Sequence, residues 1–295
     1  MDEREWLAQR FQEHRPRLRA LAYRMLGSTS EAEDALQEAW IRLSRSNAAE
    51  IDNLKAWLLS VVGRVALNML RSRKTRGEQP LEAHLPDPIV DRAEGIDPEH
   101  EALLADSLGL ALLVVLETLT PAERLAYVLH DMFSVPFDQI GAILERSPEA
   151  ARQLASRGRR CIRSAHTTTH HAGAAADQGE AVAEAFLDAA RDGDFDALLA
   201  VLDPDIVERV DTGSGTIVEV RGASNVARRA MAAASQRDGL VGRPALVNGA
   251  PGWVSVLDGE LFAIAALTVH NGRITTMDIL LDPARLARID PTDFT

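Results

Sequence analysis

The stretch PFDQIGAILERSPEAARQLASRGRR, residues 136–160, decides how the middle of the chain folds. Ile140, Ile143 and Leu144 recur at helical spacing and predict a short helix with one apolar face. Ser147 is suited to cap a second helix, and Pro148 is suited to its first position. A short helix, a tight turn and a second amphipathic helix are typical of a helix-turn-helix.

The outer face of the second helix is basic. From Ala150 to Arg160 it carries four arginines and no acidic residue, in a chain whose formal net charge is −12. Arginine pairs with phosphates or reads guanine, and glutamine reads adenine, so this face predicts contact with DNA. The alternative is a solvated basic helix that packs only on its own domain. The candidate DNA-binding residues of this helix are Arg152, Gln153, Ser156, Arg157 and Arg160.

A second basic segment lies earlier in the chain. Between residues 64 and 76 there are five cationic side chains and no acidic one. Arg64, Asn68 and Arg71 are spaced i, i+4 and i+7, which places them on one helical face. Two basic helices on separate parts of the chain suggest two contacts on one nucleic acid. The candidate DNA-binding residues of this segment are Arg64, Asn68, Arg71, Arg73 and Lys74.

The overall acidity does not exclude a nucleic-acid partner, because the charge is uneven. Residues 1–80 hold 14 basic and 11 acidic residues, whereas residues 172–295 hold 10 and 19. The one cysteine, Cys161, cannot form an internal disulfide, which predicts a reducing compartment such as the cytoplasm. The charged N-terminus is unlike a signal peptide, and no apolar run reaches 18 residues, so no contact with a membrane is expected.

An acidic helix is predicted before the first basic one. Asp34 and Glu38 are spaced i and i+4, so the two like charges share a face and repel each other mildly. One interpretation is a docking surface for a basic partner, with Trp40 and Ile41 as apolar anchors. The alternative is an ordinary solvated face.

Two linkers and a change of pattern divide the chain. Residues 77–100 contain four prolines and two glycines and predict an extended linker, and residues 166–179 are low in complexity. After the second linker, helices are predicted at about 180–192, 194–202 and 223–235, followed by β-rich runs. The pairs Asp258-Gly259 and Asn271-Gly272 indicate tight hairpins between strands. This order of elements predicts an α+β domain.

Three segments, in this order, resemble a bacterial sigma factor of the extracytoplasmic-function (ECF) type. They are AEDALQEAWIRL at 32–43, AWLLSVVGRVALNMLRSRK at 56–74, and the segment at 119–163 that contains the helix-turn-helix. The resemblance implies that core RNA polymerase and promoter DNA are the partners. The first segment, with Asp34, Glu38 and Trp40, would grip the β′ clamp helices. The second would open the −10 element, and the third would read the −35 element near the β flap.

The resemblance extends to a subgroup with a fused SnoaL-like C-terminal domain, which implies regulation in cis. HLPDPIV at 84–90 is similar to the linker motif of that subgroup, and VDTGSGTIVEVRG at 210–222 and LDPARL at 281–286 stand at two further motifs. His84 replaces the usual tryptophan, and Arg285 replaces a lysine. Asp87 is expected to repel Asp211 unless a cation such as an arginine lies between them, so a contact through the prolines and the backbone alone is the expectation. The candidate interdomain residues are Leu85, Pro86, Asp87, Pro88, Asp211, Gly213, Gly215, Asp282 and Pro283.

The predicted fold is therefore multidomain: two all-α sigma domains, the second with a helix-turn-helix, and an α+β SnoaL-like cone domain. The expected boundaries are 1–78 and 99–165 for the sigma domains, 79–98 and 166–178 for the linkers, and 179–295 for the last domain. No cofactor, metal or catalytic residue is assigned, so no enzyme is expected. Two alternatives remain: a helix-turn-helix regulator that acts without polymerase, and a SnoaL-type isomerase or cyclase fused to a DNA-binding module. For the latter, Asp211, His270 and Asp278 are the available acid–base groups, and Trp253 would line a pocket.

Overall fold

The structure is a computed structural model, and it describes residues 3–46, 51–75, 84–92, 109–166, 176–236 and 239–289. The chain forms two compact units. The described residues of the first unit are 3–46, 51–75 and 115–164, and the rest belong to the second unit. The two predicted sigma domains therefore form one unit, and the described part of the first predicted linker, residues 84–92, belongs with the C-terminal domain.

The first unit is helical. Its elements are α1 (Glu3–Leu26), α2 (Thr29–Arg45), α3 (Leu54–Thr75), the C-terminal part of α4 (Leu110–Glu117), α5 (Pro121–Tyr127), a π-helical turn (Val128–Met132), α6 (Phe137–Leu144) and α7 (Pro148–His166). Residues 99–108, where a helix was also predicted, lie outside the described residues. Leu21 of α1, Leu36 of α2 and Leu58 of α3 are buried together with other apolar residues of these helices. Leu125 and Leu129 pack against Gly63 of α3, which joins the later helices to the earlier ones.

The helix-turn-helix has the predicted form. Ile140, Ile143 and Leu144 are buried in α6. The turn passes through Glu145, whose φ is 57°, and the Arg146 N–H donates to the Gly141 carbonyl at 2.9 Å. A Cβ on Gly141 would lie 2.8 Å from the Arg146 carbonyl oxygen, so this tight turn requires glycine there. The Ser147 hydroxyl accepts from the Ala150 N–H at 3.2 Å and caps α7, as predicted.

The second unit combines helices with a seven-stranded sheet. Its elements are β1 (Val90–Arg92), the start of α4, α8 (Ala176–Asp192), α9 (Phe195–Val201), β2 (Leu202–Asp211), β3 (Ile217–Arg221), α10 (Ala223–Ser235), β4 (Val241–Val247), β5 (Ala250–Leu257), β6 (Glu260–His270), β7 (Arg273–Leu280) and α11 (Pro283–Leu286). The strand order is β1-β4-β5-β6-β7-β2-β3, and β2 pairs with β7 in parallel while the other pairs are antiparallel. Asp258 and Asn271 have φ values of 52° and 50° at the two predicted hairpins. The α+β prediction is confirmed.

The core of the second unit lies between the helices and one face of the sheet. Phe186 of α8 stacks on Trp253 of β5, with ring centroids 5.0 Å apart and an interplanar angle of 21°. Val226 of α10, Leu198 of α9 and Met277 of β7 are buried in the same cluster. The helices therefore pack on the sheet around an aromatic pair.

The described part of the first predicted linker joins the sheet edge. β1 pairs antiparallel with β4, with Val90 opposite Val247. The Ile89 N–H donates to the Asn248 side chain at 3.2 Å, and the Asn248 N–H donates to the Ile89 carbonyl at 2.7 Å. This segment was predicted to be extended, and the structure adds that it contributes a strand. None of the described helices is both long and apolar enough to cross a membrane.

Candidate functional site

The outer face of α7 presents the predicted residues to solvent. Arg152, Gln153, Ser156, Arg157 and Arg160 are all exposed. Their neighbours on the other face, such as Ala151, Leu154 and Ala155, are buried. The amphipathic division predicted from the sequence is therefore present, and α7 is anchored by its apolar side.

Two of the candidate arginines of α7 pair with acidic side chains of the same unit. Nη1 of Arg152 donates to Glu149 at 3.1 Å, and its guanidinium lies over the Phe137 ring at 5.3 Å from the centroid. Nε of Arg157 lies 2.9 Å from Glu123. Both members of the Arg152–Glu149 pair are exposed, and exposed pairs contribute about 0–1 kcal/mol, so a phosphate can replace Glu149 at little cost.

The basic residues of α3 divide into two groups. Arg64, Asn68 and Arg71 lie on the exposed side of the helix, and Nη2 of Arg64 donates to the Ala142 carbonyl at 3.3 Å. Arg73 instead pairs with Glu31 of α2, and its guanidinium also donates to the Leu26 carbonyl at 3.4 Å. A structural role thus competes with the predicted DNA contact of Arg73. The side chain of Lys74 lies outside the described residues.

The acidic face of α2 is partly engaged within its own unit. Asp34 is exposed, and Glu38 accepts a hydrogen bond from Nε of Arg42 at 2.8 Å. Trp40 is half-buried and packs on Phe11 of α1, with ring centroids 5.3 Å apart. Trp40 therefore anchors α2 to α1 with one part of its ring and leaves another part accessible.

A buried arginine was not anticipated from the sequence. Arg124 of α5 is 4% exposed, and its Nε donates to the Arg24 carbonyl at 3.0 Å. Burial lowers the pKa of Arg124 to about 10, so it remains charged at neutral pH. Nearby, the guanidinium groups of Arg17 and Arg24 lie over the Phe133 ring. These contacts join α1 to the helices that precede the helix-turn-helix.

Three of the candidate interdomain residues, Leu85, Asp87 and Asp211, meet in one network with Arg285, which was not among the candidates; these four residues are called here the linker clamp. Asp211, at the end of β2, is fully buried and its Oδ2 accepts from the Leu85 N–H at 2.8 Å. Nη1 of Arg285 donates to the same Oδ2 at 2.8 Å. Nη2 of Arg285 donates to the Leu85 carbonyl at 2.6 Å and to Asp87 Oδ1 at 2.8 Å. Arg285 is therefore the cation that lies between Asp87 and Asp211. The sequence alone did not identify it.

Gly213, Asp282 and Pro283 make contacts within the C-terminal domain that support the linker clamp, and the contacts given for them are not with the linker. The Gly213 N–H donates to Asp211 Oδ1 at 3.0 Å, and a Cβ on Gly213 would lie 2.7 Å from the Asp282 side chain. Asp282 caps α11 by accepting from the Ala284 N–H at 2.9 Å, and Pro283 takes the first position of that helix. The Leu281 N–H donates to the Asp211 carbonyl at 2.7 Å. These bonds fix the start of α11 and thereby aim Arg285.

The linker side of the clamp is apolar and buried around its hydrogen bonds. Pro86 and Pro88 are buried, as is Leu85 at 2% exposed. His84 is partly exposed, and its Nδ1 lies 3.4 Å from Asp211. Gly215, the last of the candidates, is buried in the loop between β2 and β3, with a φ of 80°.

The acid–base groups available to an enzyme do not line the cavity described in the C-terminal domain. Asp211 belongs to the linker clamp, and His270 ends β6 beside a hairpin turn. Asp278 is 2% exposed, its Oδ1 lies 2.8 Å from Nε of Arg209, and burial raises its pKa to about 6 against the effect of Arg209. A cavity of about 420 Å³ is lined by Trp253, as predicted, but by none of the three.

Two family models match the helical part of the chain. Sigma-70 region 2 matches residues 10–76, and Sigma-70 region 4 matches residues 109–162. The first match spans α1 to α3 with both the acidic and the basic face. The second spans the helix-turn-helix and its basic helix.

Relatives extend the likeness to nearly the whole chain. The probable ECF RNA polymerase sigma factor SigI of Mycobacterium tuberculosis is 36% identical over 277 residues, which is 92% of this chain and 92% of that protein. The ECF RNA polymerase sigma factor SigJ of the same organism is 34% identical over 289 residues, covering 92% and 91%. The crystal structure of SigJ superposes with a TM-score of 0.77 at 29% identity, over 96% of this chain and 99% of that one. The chain belongs to the ECF family of RNA polymerase sigma factors: it is an alternative sigma factor that binds core RNA polymerase and promoter DNA, with a SnoaL-like C-terminal domain, and not an enzyme.

Proposed function

We propose that this sigma factor acts in the cytoplasm through three surfaces of its helical unit. The acidic face of α2, with Asp34, Glu38 and the accessible part of Trp40, contacts the β′ clamp helices. The exposed side of α3 contacts the −10 element, and the outer face of α7 contacts the −35 element beside the β flap. The support is chemical: exposed carboxylates suit a basic partner, and exposed guanidinium groups suit phosphates and guanine.

We further propose that the C-terminal domain regulates initiation in cis through the linker clamp. The observation that carries this proposal is the position of Arg285, whose guanidinium makes four hydrogen bonds to Leu85, Asp87 and Asp211. A sigma factor must hold its two DNA-binding regions at the separation set by the −10 and −35 elements. The only covalent path from α3 to α5 runs through residues 84–92, so whatever holds that segment restrains both regions.

The clamp is suited to hold the linker and to release it as one unit. The bonds from Arg285 are charge-assisted, and such bonds are about twice as strong as neutral ones. Leu85, Pro86 and Pro88 are buried beside them, and prolines lose little conformational entropy on binding. Asp87 is the removable part: it belongs to the linker, its side chain is 20% exposed, and Asp211 keeps Arg285 if Asp87 is lost.

Run-off transcription with core polymerase tests this regulation. Asp87→Ala removes two of the four bonds of Arg285 and leaves the buried Asp211–Arg285 pair intact. We expect this variant to initiate several-fold more transcript than the wild type at limiting sigma factor. Glu184→Ala, an exposed change on α8, is the matched control and should behave as the wild type.

Hydrogen exchange measured on the same proteins distinguishes two results that would each contradict the proposed regulation. If Asp87→Ala speeds exchange of the linker amides but leaves transcription unchanged, the linker is released without any regulatory effect and the proposal is wrong. If neither exchange nor transcription changes, Asp87 does not hold the linker in solution, which also overturns the proposed role of the clamp.

A further inference from the structure

The two edges of the seven-stranded sheet differ in how they are protected. At one edge, β1 covers Ala245–Val247 of β4, and the adjacent Pro244 has no N–H to offer to another strand. At the other edge lies β3 (Ile217–Arg221), which contains no proline and has no strand on its outer side among the described residues. Val218 of β3 is 43% exposed, although it is a large apolar side chain. An open edge of this kind is able to pair with another strand.

The hydrogen-bond pattern of β3 indicates which of its main-chain groups face outward. The N–H of Gly222, directly after β3, donates to the Ile206 carbonyl at 2.9 Å on the β2 side. Because the direction alternates along an antiparallel pair, the N–H and C=O groups of Glu219 and Arg221 point away from β2. The Arg221 carbonyl accepts from the Asn225 side chain at 2.8 Å, and a carbonyl oxygen has a second lone pair for another donor. The main chain of β3 is therefore able to bond to a further strand through Glu219 and Arg221.

The charged side chains on one face of the sheet alternate in sign as far as this edge. Asp278 of β7 lies opposite Arg209 of β2, and Arg209 lies opposite Glu219 of β3. Glu219 ends the row, and its partner there is Arg221 of the same strand, with Nε 2.7 Å from Oε1. The side chains of Arg221 and Glu219 are 70% and 44% exposed, and such exposed pairs exchange partners at little cost. The position beyond the edge therefore favours a cation opposite Glu219.

We propose that β3 pairs with β3 of a second copy of this chain, antiparallel and with Val220 opposite Val220 at the two-fold axis. In this register Glu219 of each copy lies opposite Arg221 of the other, which continues the alternation of charge across the joined sheets. Each of these two symmetric pairs exchanges both main-chain hydrogen bonds. Val220 and the exposed Val218 pack near the axis on the opposite face. Charges of one sign would keep two such edges apart, whereas this edge complements itself.

Sedimentation equilibrium of the full chain measures this association. The interface consists of one short strand from each copy, and small interfaces are transient, so we expect a dissociation constant on the order of 100 µM. Between about 5 µM and about 500 µM the average mass should rise from the chain mass of 32.1 kDa toward twice that value. A mass that stays at that of one chain throughout would overturn the proposal.

Two charge reversals test the register. Glu219→Arg and Arg221→Glu each place like charges opposite each other twice, so either variant alone should associate about tenfold more weakly than the wild type or less. An equal mixture of the two variants should associate as the wild type does, because every arginine then faces a glutamate across the axis. Glu184→Arg, at an exposed position of α8, changes the net charge as much as Glu219→Arg does and is the control.

The mixture distinguishes this edge from any other surface. Association that persists in each single variant would mean that the copies meet elsewhere, and the proposal would be wrong. Single variants that fail to associate and do not recover when mixed would show that Glu219 and Arg221 do not face each other across a two-fold axis, which also overturns it.

Discussion

Arginine side chains lie in opposite environments on α7 and in the linker clamp. On α7, the side chains of Arg152 and Arg157 are 58% and 54% exposed, and Glu149, the partner of Arg152, is 68% exposed. In the linker clamp, the Arg285 side chain is 12% exposed and makes four hydrogen bonds. An exposed cation can exchange its partner for a DNA phosphate at little cost in free energy. A mostly buried cation such as Arg285 cannot leave without a large cost, because its buried hydrogen-bond partners would be left unpaired. Exposure, not residue type, therefore separates the arginines proposed to contact DNA from those with structural contacts, such as Arg285 and Arg124.

The largest effect on stability is expected from substitution of Arg285, the mostly buried arginine of this comparison. Arg285→Ala leaves the carboxylate of Asp211 buried without a cation, and breaking one side of a buried pair costs about 3–5 kcal/mol. We expect a loss of that order in the unfolding free energy of the C-terminal domain, measured by urea denaturation. Arg288→Ala, an exposed neighbour, should change it by less than about 0.5 kcal/mol. A loss that small for Arg285→Ala would mean that the clamp is open in solution.

A second buried charge makes stability depend on pH. Asp278 has its pKa raised to about 6 by burial, above the value near 3.9 of an unfolded chain. The favourable contribution of its protonated form is fully present below about pH 4 and is lost as pH rises through about 6. Relative to Asp278→Asn, the wild type should therefore lose about 2–3 kcal/mol of stability between pH 4 and pH 7. Parallel stability curves for the two proteins across this range would contradict the assignment.

The exposed cations should affect DNA binding without affecting folding. Arg152→Ala or Gln153→Ala should cost about 1–3 kcal/mol for each lost base contact in the −35 element and should relax its sequence preference. Arg71→Ala should weaken binding more uniformly across sequences and lower the salt slope by about one. Arg10→Ala, in an exposed ion pair of α1, is the control. Unchanged −35 preference in Arg152→Ala would show that α7 is not the recognition helix.

The smallest effect is expected at the acidic face of α2. Reversing Asp34 and Glu38 to Lys should weaken binding to core polymerase about tenfold or more, which is about 1.4 kcal/mol, while the helical unit stays folded. Reversing Asp188 and Asp192, which have the same spacing on α8, provides the matched control. Core affinity that falls equally in both double variants would reflect net charge and not a docking surface.

Local patterns predicted the local structure well. The apolar face of α6, the cap at Ser147 and the hairpin at Asn271-Gly272 each depend on residues close in sequence, and each is present in the structure. The sequence indicated that Asp87 and Asp211 would repel each other without a cation between them, and a contact through the prolines and backbone alone was expected; in the structure Arg285 instead bonds to both carboxylates. Arg285 is 198 residues from Asp87, so spacing along the chain gave no way to choose it from the other arginines.

The features that the sequence did not predict share one cause: each depends on a contact between residues far apart in the chain. Arg73 belongs to a basic segment by sequence, yet it pairs with Glu31, 42 residues away. Arg124 has no local signal for burial, because its partner is the carbonyl of Arg24 in another helix. Val90 reads as part of a linker, yet it pairs with Val247 at the sheet edge. In each case the residue type was evident and the partner was not.

The rate of hydrogen exchange at the Leu85 amide tests most directly whether the linker clamp regulates initiation. In the free protein this N–H donates to the buried Asp211 carboxylate at 2.8 Å, and Leu85 is 2% exposed. Hydrogen exchange at Leu85 should be measured in the free factor and in the complex with core polymerase and promoter DNA. If the clamp restrains the linker until initiation, this amide is protected in the free factor and exchanges rapidly in the promoter complex. Equal protection in both states would contradict regulation through the linker clamp.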